Sequence, residues 1–235
     1  MRSYSILANY YDALFVDEES VNLWADFTCL HKKKGNMLEI AAGSGAISEE
    51  LINRGIDLTI SDLSMDMLQI AKEKLGERVP MYTLDMRNFR LEQKFDNVIC
   101  FNDSLNYLLE EEEILSCFHC VYEALNEGGV FLFDMHQLSR LEEFSEEYVE
   151  EGEVKDAEYQ WTIVSDDDYL CHHLTFWNAA GEMSEEHIQR VYSSEMIREC
   201  LRKSGFTYEV YTDFIKKEEE DGEKWYFVAR KGNLC

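Results

Sequence analysis

Glu39, Gly43, Gly45 and Asp62 are the residues whose types and spacing could act together chemically. Met37 to Ala42 is an apolar run with one acid in it, and it breaks at Gly43-Ser44-Gly45. The two glycines lack Cβ, so the chain can turn sharply there and a ligand can come close to the backbone. Ala46 to Arg54 then reads as a helix with Ile47 and Leu51 on one face. The unpaired N–H groups at the start of such a helix suit the polar end of a nucleotide-like ligand. Asp62 follows the next apolar run, Ile56 to Ile60, where a carboxylate can hold two ribose hydroxyls. A tight turn without a ligand would explain the glycines but leaves the Asp unexplained.

The loop also says something about which ligand. A dinucleotide fingerprint needs glycine at three positions, G-x-G-x-x-G, and Ser48 stands at the third. Glu39 lies inside the strand, four residues before Gly43. An acid there would repel a pyrophosphate but could help to hold an ammonium group. A nucleoside with a cationic amino-acid tail therefore fits better than a dinucleotide. A nicotinamide-dependent oxidoreductase is the second reading, and a protein that binds the nucleoside without turnover is the third.

From about Gly35 to Gln137 the chain resembles the class I S-adenosylmethionine-dependent methyltransferases, in particular the small bacterial methyltransferase-domain type. Their first motif, E/D-x-G-x-G-x-G, is matched by Glu39-Ile40-Ala41-Ala42-Gly43-Ser44-Gly45 except that Ala41 replaces the first glycine. Asp62-Leu63 matches the ribose-binding acid and its neighbour, and Asp85-Met86 the pair that contacts the adenine. Phe95 to Asn102 matches the fourth strand, whose end lies beside the methyl donor, and Leu125 to Phe133 the turn and fifth strand. Tyr10-Tyr11-Asp12 looks like the segment that caps the cofactor. The resemblance implies S-adenosylmethionine as cofactor, with contacts from Tyr11, Glu39, Ala41, Gly43, Gly45, Asp62, Leu63, Met67, Asp85, Met86 and Asn102. It implies O- or N-methylation of a small-molecule methyl acceptor by in-line displacement.

Such an acceptor must lose a proton to a base within hydrogen-bond reach. His136 directly follows the fifth strand and is the first choice. Asn102, Asp103, Tyr10, Tyr11, His172 and His173 are the other candidates. Cys117-Phe118-His119-Cys120 has metal-site spacing, but it sits in a helix whose core face is Ile114, Phe118, Val121 and Leu125. Both cysteines therefore read as packing residues, and no metal is expected.

The net charge is −26, with 48 acids against 22 bases. Nucleic-acid binding requires a basic footprint to displace counterions, so no nucleic-acid partner is expected, and anionic membrane surfaces are disfavoured in the same way. No apolar run reaches the ~20 residues of a membrane span. Met1-Arg2-Ser3-Tyr4 leads into polar residues rather than a secretory core. Seven scattered cysteines suit a reducing, cytoplasmic setting. A homodimer is compatible with all of this.

These residues need a scaffold. Glu18 to Lys34 reads as an amphipathic helix. Strand 37–42, helix 45–54, strand 56–61, helix 65–75, strand 81–84, strand 95–101, helix 110–126 and strand 129–135 then alternate, which implies a parallel sheet covered on both faces. Residues 138–192 read as a three-stranded antiparallel meander, with strands around Tyr159 to Ile163, Tyr169 to Trp177 and His187 to Tyr192. Ser193 to Ser204 is a helix, and Phe206 to Phe214 with Lys224 to Arg230 a hairpin. The expectation is one α/β domain over 1–235, a Rossmann-like seven-stranded mixed sheet with an antiparallel β insertion after the fifth strand. Its parts are an N-terminal cap (1–34), a cofactor-binding core (35–137), the insertion as substrate cover or dimer contact (138–192), and a helix and hairpin that complete the sheet (193–235).

Overall fold

The computed structural model describes residues 6–217 and 221–232. Met1-Arg2-Ser3-Tyr4 and part of the acidic run Glu218 to Glu223 lie outside the described residues. A 3₁₀ turn, Leu7–Asn9, leads into a short helix α1 (Tyr11–Phe15) and then α2 (Glu18–His31). Asp17 caps α2 by accepting the Glu19 and Ser20 N–H groups. The alternating units follow: β1 (Met37–Glu39), α3 (Ala46–Asn53), β2 (Leu58–Asp62), α4 (Met65–Leu75), β3 (Met81–Thr83), β4 (Phe95–Cys100), α5 (Glu111–Ala124) and β5 (Leu125–His136). Ser64 caps α4 through the Met67 N–H, as its position in the sequence predicts. A fifth strand is expected at 129–135. It instead begins as soon as α5 ends, because Leu125 already pairs with Phe95 before a register shift near Asn97.

After β5 come α6 (Ser139–Glu143), β6 (Tyr148–Val154), β7 (Ala157–Asp166), β8 (Tyr169–Asn178) and β9 (Gly181–Arg190). The chain ends with α7 (Ser194–Lys203), β10 (Phe206–Thr212), the two-residue β11 (Lys216–Lys217) and β12 (Lys224–Lys231). The main sheet runs β11-β10-β12-β5-β4-β1-β2-β3. β1 to β5 are parallel, and the C-terminal hairpin adds antiparallel pairs through β12. This is the seven-stranded mixed sheet of the sequence reading, lengthened at one edge by β11. Leu38, Val98, Phe131 and Phe227 sit in the core on one face, and Met37, Ile99, Leu132 and Val228 on the other. Period-2 alternation in buried strands thus gives both faces an apolar surface for helices to cover.

The insertion departs from expectation. It has four strands, β6-β7-β8-β9, rather than three. The extra one, β6, lies in the acidic stretch that runs from Glu142 to Glu153. Its side chains are mostly exposed, with only Val154 buried, so it carries no apolar alternation. It is an edge strand held to β7 by its backbone and by polar cross-strand pairs. Tyr159 Oη donates to Glu150 at 2.6 Å, and Gln160 Nε2 donates to Glu151 at 2.6 Å. The last strand also begins earlier than its apolar residues suggest, at Gly181 rather than His187.

Candidate active site

The loop after β1 turns as its glycines require. Gly43 has φ 56° and Gly45 φ 77°, and a Cβ built on Gly43 would meet no atom within 4 Å. The space beside Gly43 is open to a ligand. Gly45 has the opposite constraint: a Cβ there would press on Ala71 and Leu75 of α4 at 3.2 Å. Ala41 also has a positive φ, 55°. The family motif has glycine there, and an L residue in this conformation costs about 1–2 kcal/mol. Replacing Ala41 by Gly removes that strain but costs about 0.5–1 kcal/mol in chain entropy lost on folding. We therefore expect Ala41→Gly to stabilise the ligand-free protein by roughly 0.5 kcal/mol, read as a higher urea midpoint at unchanged slope. A lower midpoint would show that Ala41 is not strained.

Asp62, at the end of β2, ties this loop to the next. Its Oδ2 accepts the Gly43 N–H at 2.8 Å and its Oδ1 the Ser64 N–H at 2.7 Å. Burial raises its pKa, and these N–H groups pull it back. Each carboxylate oxygen keeps a lone pair for a diol. Glu39 lies deeper, only 2 % exposed, and accepts the Ser48 hydroxyl at 2.5 Å. Burial pushes its carboxyl up to about 7. Asp85 is held below the usual carboxylate range by the Arg87 guanidinium, which also reaches Glu113.

A cavity of about 910 Å³ opens over these strand ends. Tyr11, Ala41, Gly43, Asp62, Leu63, Met67, Asp85, Met86, Asn102 and His136 all line it. Of the other residues singled out in the sequence, Asp103 and His172 line it too, whereas Glu39, Gly45, Tyr10 and His173 do not. The N-terminal arm closes one side. Asn102 Nδ2 donates to the Tyr11 hydroxyl at 2.8 Å, and burial raises the Tyr11 pKa, so the hydroxyl stays neutral. Glu185 on β9 accepts the Ile6 and Leu7 N–H groups, Lys74 pairs with Asp12 at 2.8 Å, and Tyr10 stacks on Phe176. The arm therefore bridges the core and the insertion.

One face of the insertion sheet forms the opposite wall. Alternation along the strands presents Trp161 and Ile163 from β7, Leu170, His172 and Leu174 from β8, and His187 and Gln189 from β9. Gln189 Oε1 lies 3.2 Å from Nε2 of both His136 and His172. Trp161 Nε1 donates to His172 Nδ1, so His172 carries its proton on Nε2 and donates it to Gln189. Burial lowers the His172 pKa to about 4 and that of His136 below its usual value, so both rings are neutral at pH 7. His136 Nδ1 is 3.5 Å from Asp103 Oδ1, and neither atom has a hydrogen-bond partner. Proton uptake by His136 would give both its nitrogens acceptors, Gln189 Oε1 and Asp103 Oδ1.

Behind this pair lies a buried charge group that the sequence did not reveal. Lys224, across from His136 in the β5–β12 register, donates to Asp103 Oδ2 at 2.8 Å. Asp134 accepts the Asp103 N–H and the Trp24 indole N–H, and lies 3.8 Å from Lys224. Burial raises the Asp134 pKa to about 6, whereas at Asp103 burial is outweighed by the cations around it, His136 when protonated, Lys224 and Arg140, and the pKa is lowered. Burial alone would lower the Lys224 pKa, but the two carboxylates more than offset it.

The comparisons with known proteins agree with this geometry. Residues 37–129 match the family model described as a methyltransferase domain. The chain is 32 % identical over 210 residues to the putative methyltransferase YqeM of Bacillus subtilis (strain 168), covering 85 % of each protein. It belongs to the class I S-adenosylmethionine-dependent methyltransferases. A crystal structure of such a methyltransferase from Clostridium acetobutylicum ATCC 824 superposes with a TM-score of 0.83 at 25 % identity, covering 97 % of this chain and 98 % of that one. A shorter match, 32 % over 99 residues, is to a dTDP-3-amino-3,4,6-trideoxy-alpha-D-glucopyranose N,N-dimethyltransferase of Streptomyces venezuelae, covering 42 % of this chain and 41 % of that enzyme. The open space at Gly43 and the buried Asp62 carboxylate fit the family's cofactor, S-adenosylmethionine, so the site's residues and the family assignment point to the same ligand.

Proposed function

We propose that this methyltransferase acts on an oxygen or nitrogen atom of a small molecule held between the α/β core and the insertion sheet. The observation that carries the reading is the continuity of the cavity. The strand-end loops line one end, and the apolar and imidazole-bearing face of the insertion lines the other. S-adenosylmethionine, when bound, supplies an electrophilic methyl group on a sulfonium. Asp62 would hold the ribose hydroxyls, Asp85 and Met86 the adenine, and the Gly43 backbone the amino-acid tail. Glu39, held near half-ionised at neutral pH by burial, would be drawn to its charged form by the tail's ammonium group. Tyr11, fixed by Asn102, would close the arm over the site.

Alignment is the first service these walls perform, since effective molarities in oriented systems reach ~10⁵ M or more. The second is proton removal. His136 is neutral at pH 7 and stands beside an acceptor for the charge it would gain. Asp103 positions the ring and stabilises the imidazolium. The insertion acts as the acceptor's cover. The amino-sugar nucleotide substrate in the name of the Streptomyces venezuelae relative supports a small acceptor. The net charge of −26 argues against a nucleic-acid partner, and the free cysteines among the described residues favour a cytoplasmic setting.

A screen of metabolite pools for incorporation of a labelled methyl group would supply the acceptor. With that acceptor, His136→Ala is expected to lower kcat by about 10²-fold and leave S-adenosylmethionine affinity unchanged. Protonated His136 cannot accept a proton, so the wild-type rate falls as pH drops through its lowered pKa, and the variant loses that limb. An unchanged rate and profile would remove His136 as the base. No labelled product from any pool would favour binding without turnover.

A further inference from the structure

Arg140 is a cation placed at the acceptor end of the cavity; its charge reaches buried Asp103, but that carboxylate is hydrogen-bonded by Lys224 instead. It lies on α6, four residues past His136, and it lines the cavity. Its guanidinium sits over the Phe144 ring, 4.8 Å from the centroid, which fixes its orientation. Its one hydrogen bond among the described residues runs from Nη1 to Glu143 at 2.5 Å. Nε is buried with no partner. Glu143 is half exposed, whereas Arg140 is largely covered, so this partner faces water and not the cavity. An exposed carboxylate of this kind is a weak hold on a guanidinium.

The other arginine on the cavity wall and the acid beside His136 are engaged. Arg87 makes a fork with Asp85 and reaches Glu113, and Asp103 is neutralised by Lys224. His136, His172 and His187 are kept neutral by burial and supply N–H groups or lone pairs but no charge. Trp161, Ile163 and Leu170 give this end an apolar wall. In a chain of net charge −26 the surroundings repel anions. A half-engaged guanidinium inside such a chain is therefore a local feature that selects for something.

We propose that the methyl acceptor carries an oxyanion, a carboxylate or a phosphate monoester, which Arg140 binds, and an apolar body of about ring size that lies on the Trp161 wall. A guanidinium presents parallel N–H groups that match the two oxygens of such a group, and exclusion of water strengthens the pairing. The oxyanion is held at Arg140 while the atom to be methylated reaches back toward His136. This assignment rests on the methyl-transfer reading of the same cavity.

Probe compounds test it without knowledge of the true acceptor. The protein loaded with S-adenosylhomocysteine is titrated with benzoate, phenyl phosphate and benzamide, and affinities are read by calorimetry. Benzoate or phenyl phosphate is expected to bind at least about tenfold tighter than benzamide, and whichever binds better identifies the oxyanion. In Arg140→Gln the preference should fall to near unity, with S-adenosylhomocysteine affinity unchanged as the check on folding. Arg140→Lys should keep part of it, since the charge remains and the fork is lost. Benzamide binding as tightly as the anions, a preference that survives in Arg140→Gln, or no anion binding at millimolar concentration each overturns the proposal and leaves Arg140 as a clamp on Phe144. Failure of S-adenosylhomocysteine itself to bind would instead strike the methyl-transfer reading, and the same titration on the free protein would still decide the role of Arg140.

Discussion

Asp62→Ala is expected to remove most of the stability that S-adenosylmethionine confers on this protein. Ligand at about 100 times its dissociation constant should stabilise the wild type by about 2.7 kcal/mol. Asp62 would contribute charge-assisted hydrogen bonds to two hydroxyls, each worth about 1.5–3 kcal/mol. Losing one such bond's worth of energy or slightly more weakens binding about 100-fold. At the same ligand concentration the stabilisation then falls to about 0.4 kcal/mol. The substitution also strips the Gly43 and Ser64 N–H groups of their acceptor, so the ligand-free protein loses stability too. The decisive quantity is therefore the difference between the melting curves with and without ligand, measured separately for each protein. Asp62→Asn keeps one acceptor oxygen and should fall between the two. NAD should shift neither curve, because Glu39 and the absent third glycine disfavour a pyrophosphate. A ligand-induced shift as large in Asp62→Ala as in the wild type would contradict the ribose assignment.

How much of this could be read from the sequence depended on the range of the interaction. The α/β core was legible because each unit carries its own periodicity, and because Gly43, Gly45 and Asp62 are close in the chain to the loop they shape. Ten of the twelve residues chosen from motif and resemblance line one cavity. Glu39 and Gly45 do not, and each also has a local role. Glu39 receives the Ser48 hydroxyl, and Gly45 lets α3 approach α4. β6 was illegible because an edge strand that exposes both faces needs no apolar alternation, and its glutamates look like any solvated run. The surroundings of His136 were hidden for another reason. Gln189 lies 53 residues from it, and Lys224 lies 121 residues from Asp103. Only the antiparallel return of β12 beside β5 and the folding of the insertion over the strand ends bring these groups together. Arg140 is near His136 in sequence, but nothing local indicates that its best partner would be exposed.

The same long-range group gives the largest expected effect on stability. Lys224→Met keeps the length and apolar stem of the side chain and removes its charge. Asp103 and Asp134, both at most 12 % exposed, then face each other without the ammonium that now lies 2.8 Å from one and 3.8 Å from the other. Removing one partner of a buried ionic group costs about 3–5 kcal/mol, because the remaining charge is uncompensated. Lys224 is slightly exposed, which favours the lower figure, about 3 kcal/mol. For a chain of this size that is a Tm lower by roughly 6–12 °C. The pH dependence separates this cause from a simple packing defect. In the wild type the Asp103 pKa is lowered, so its stabilising contribution is present above the usual carboxylate pKa and is lost as pH falls through its folded value. In the variant Asp134 has a folded pKa raised further above the unfolded one, and Asp103 loses the share of its lowering that Lys224 supplies. Asp134 takes up a proton on folding, and its contribution worsens as pH rises. Both signs act in one direction: the gap between wild type and variant is widest at neutral pH and narrows as pH falls through about 6 and below. Adding Asp134→Asn to the variant should recover part of the loss at pH 7, since it removes one of the two opposed charges and keeps an oxygen for the Trp24 indole. A gap of the same size at every pH, with no recovery in the double variant, would mean that Lys224 holds the hairpin by its stem alone and that Asp103 reaches His136 without its help.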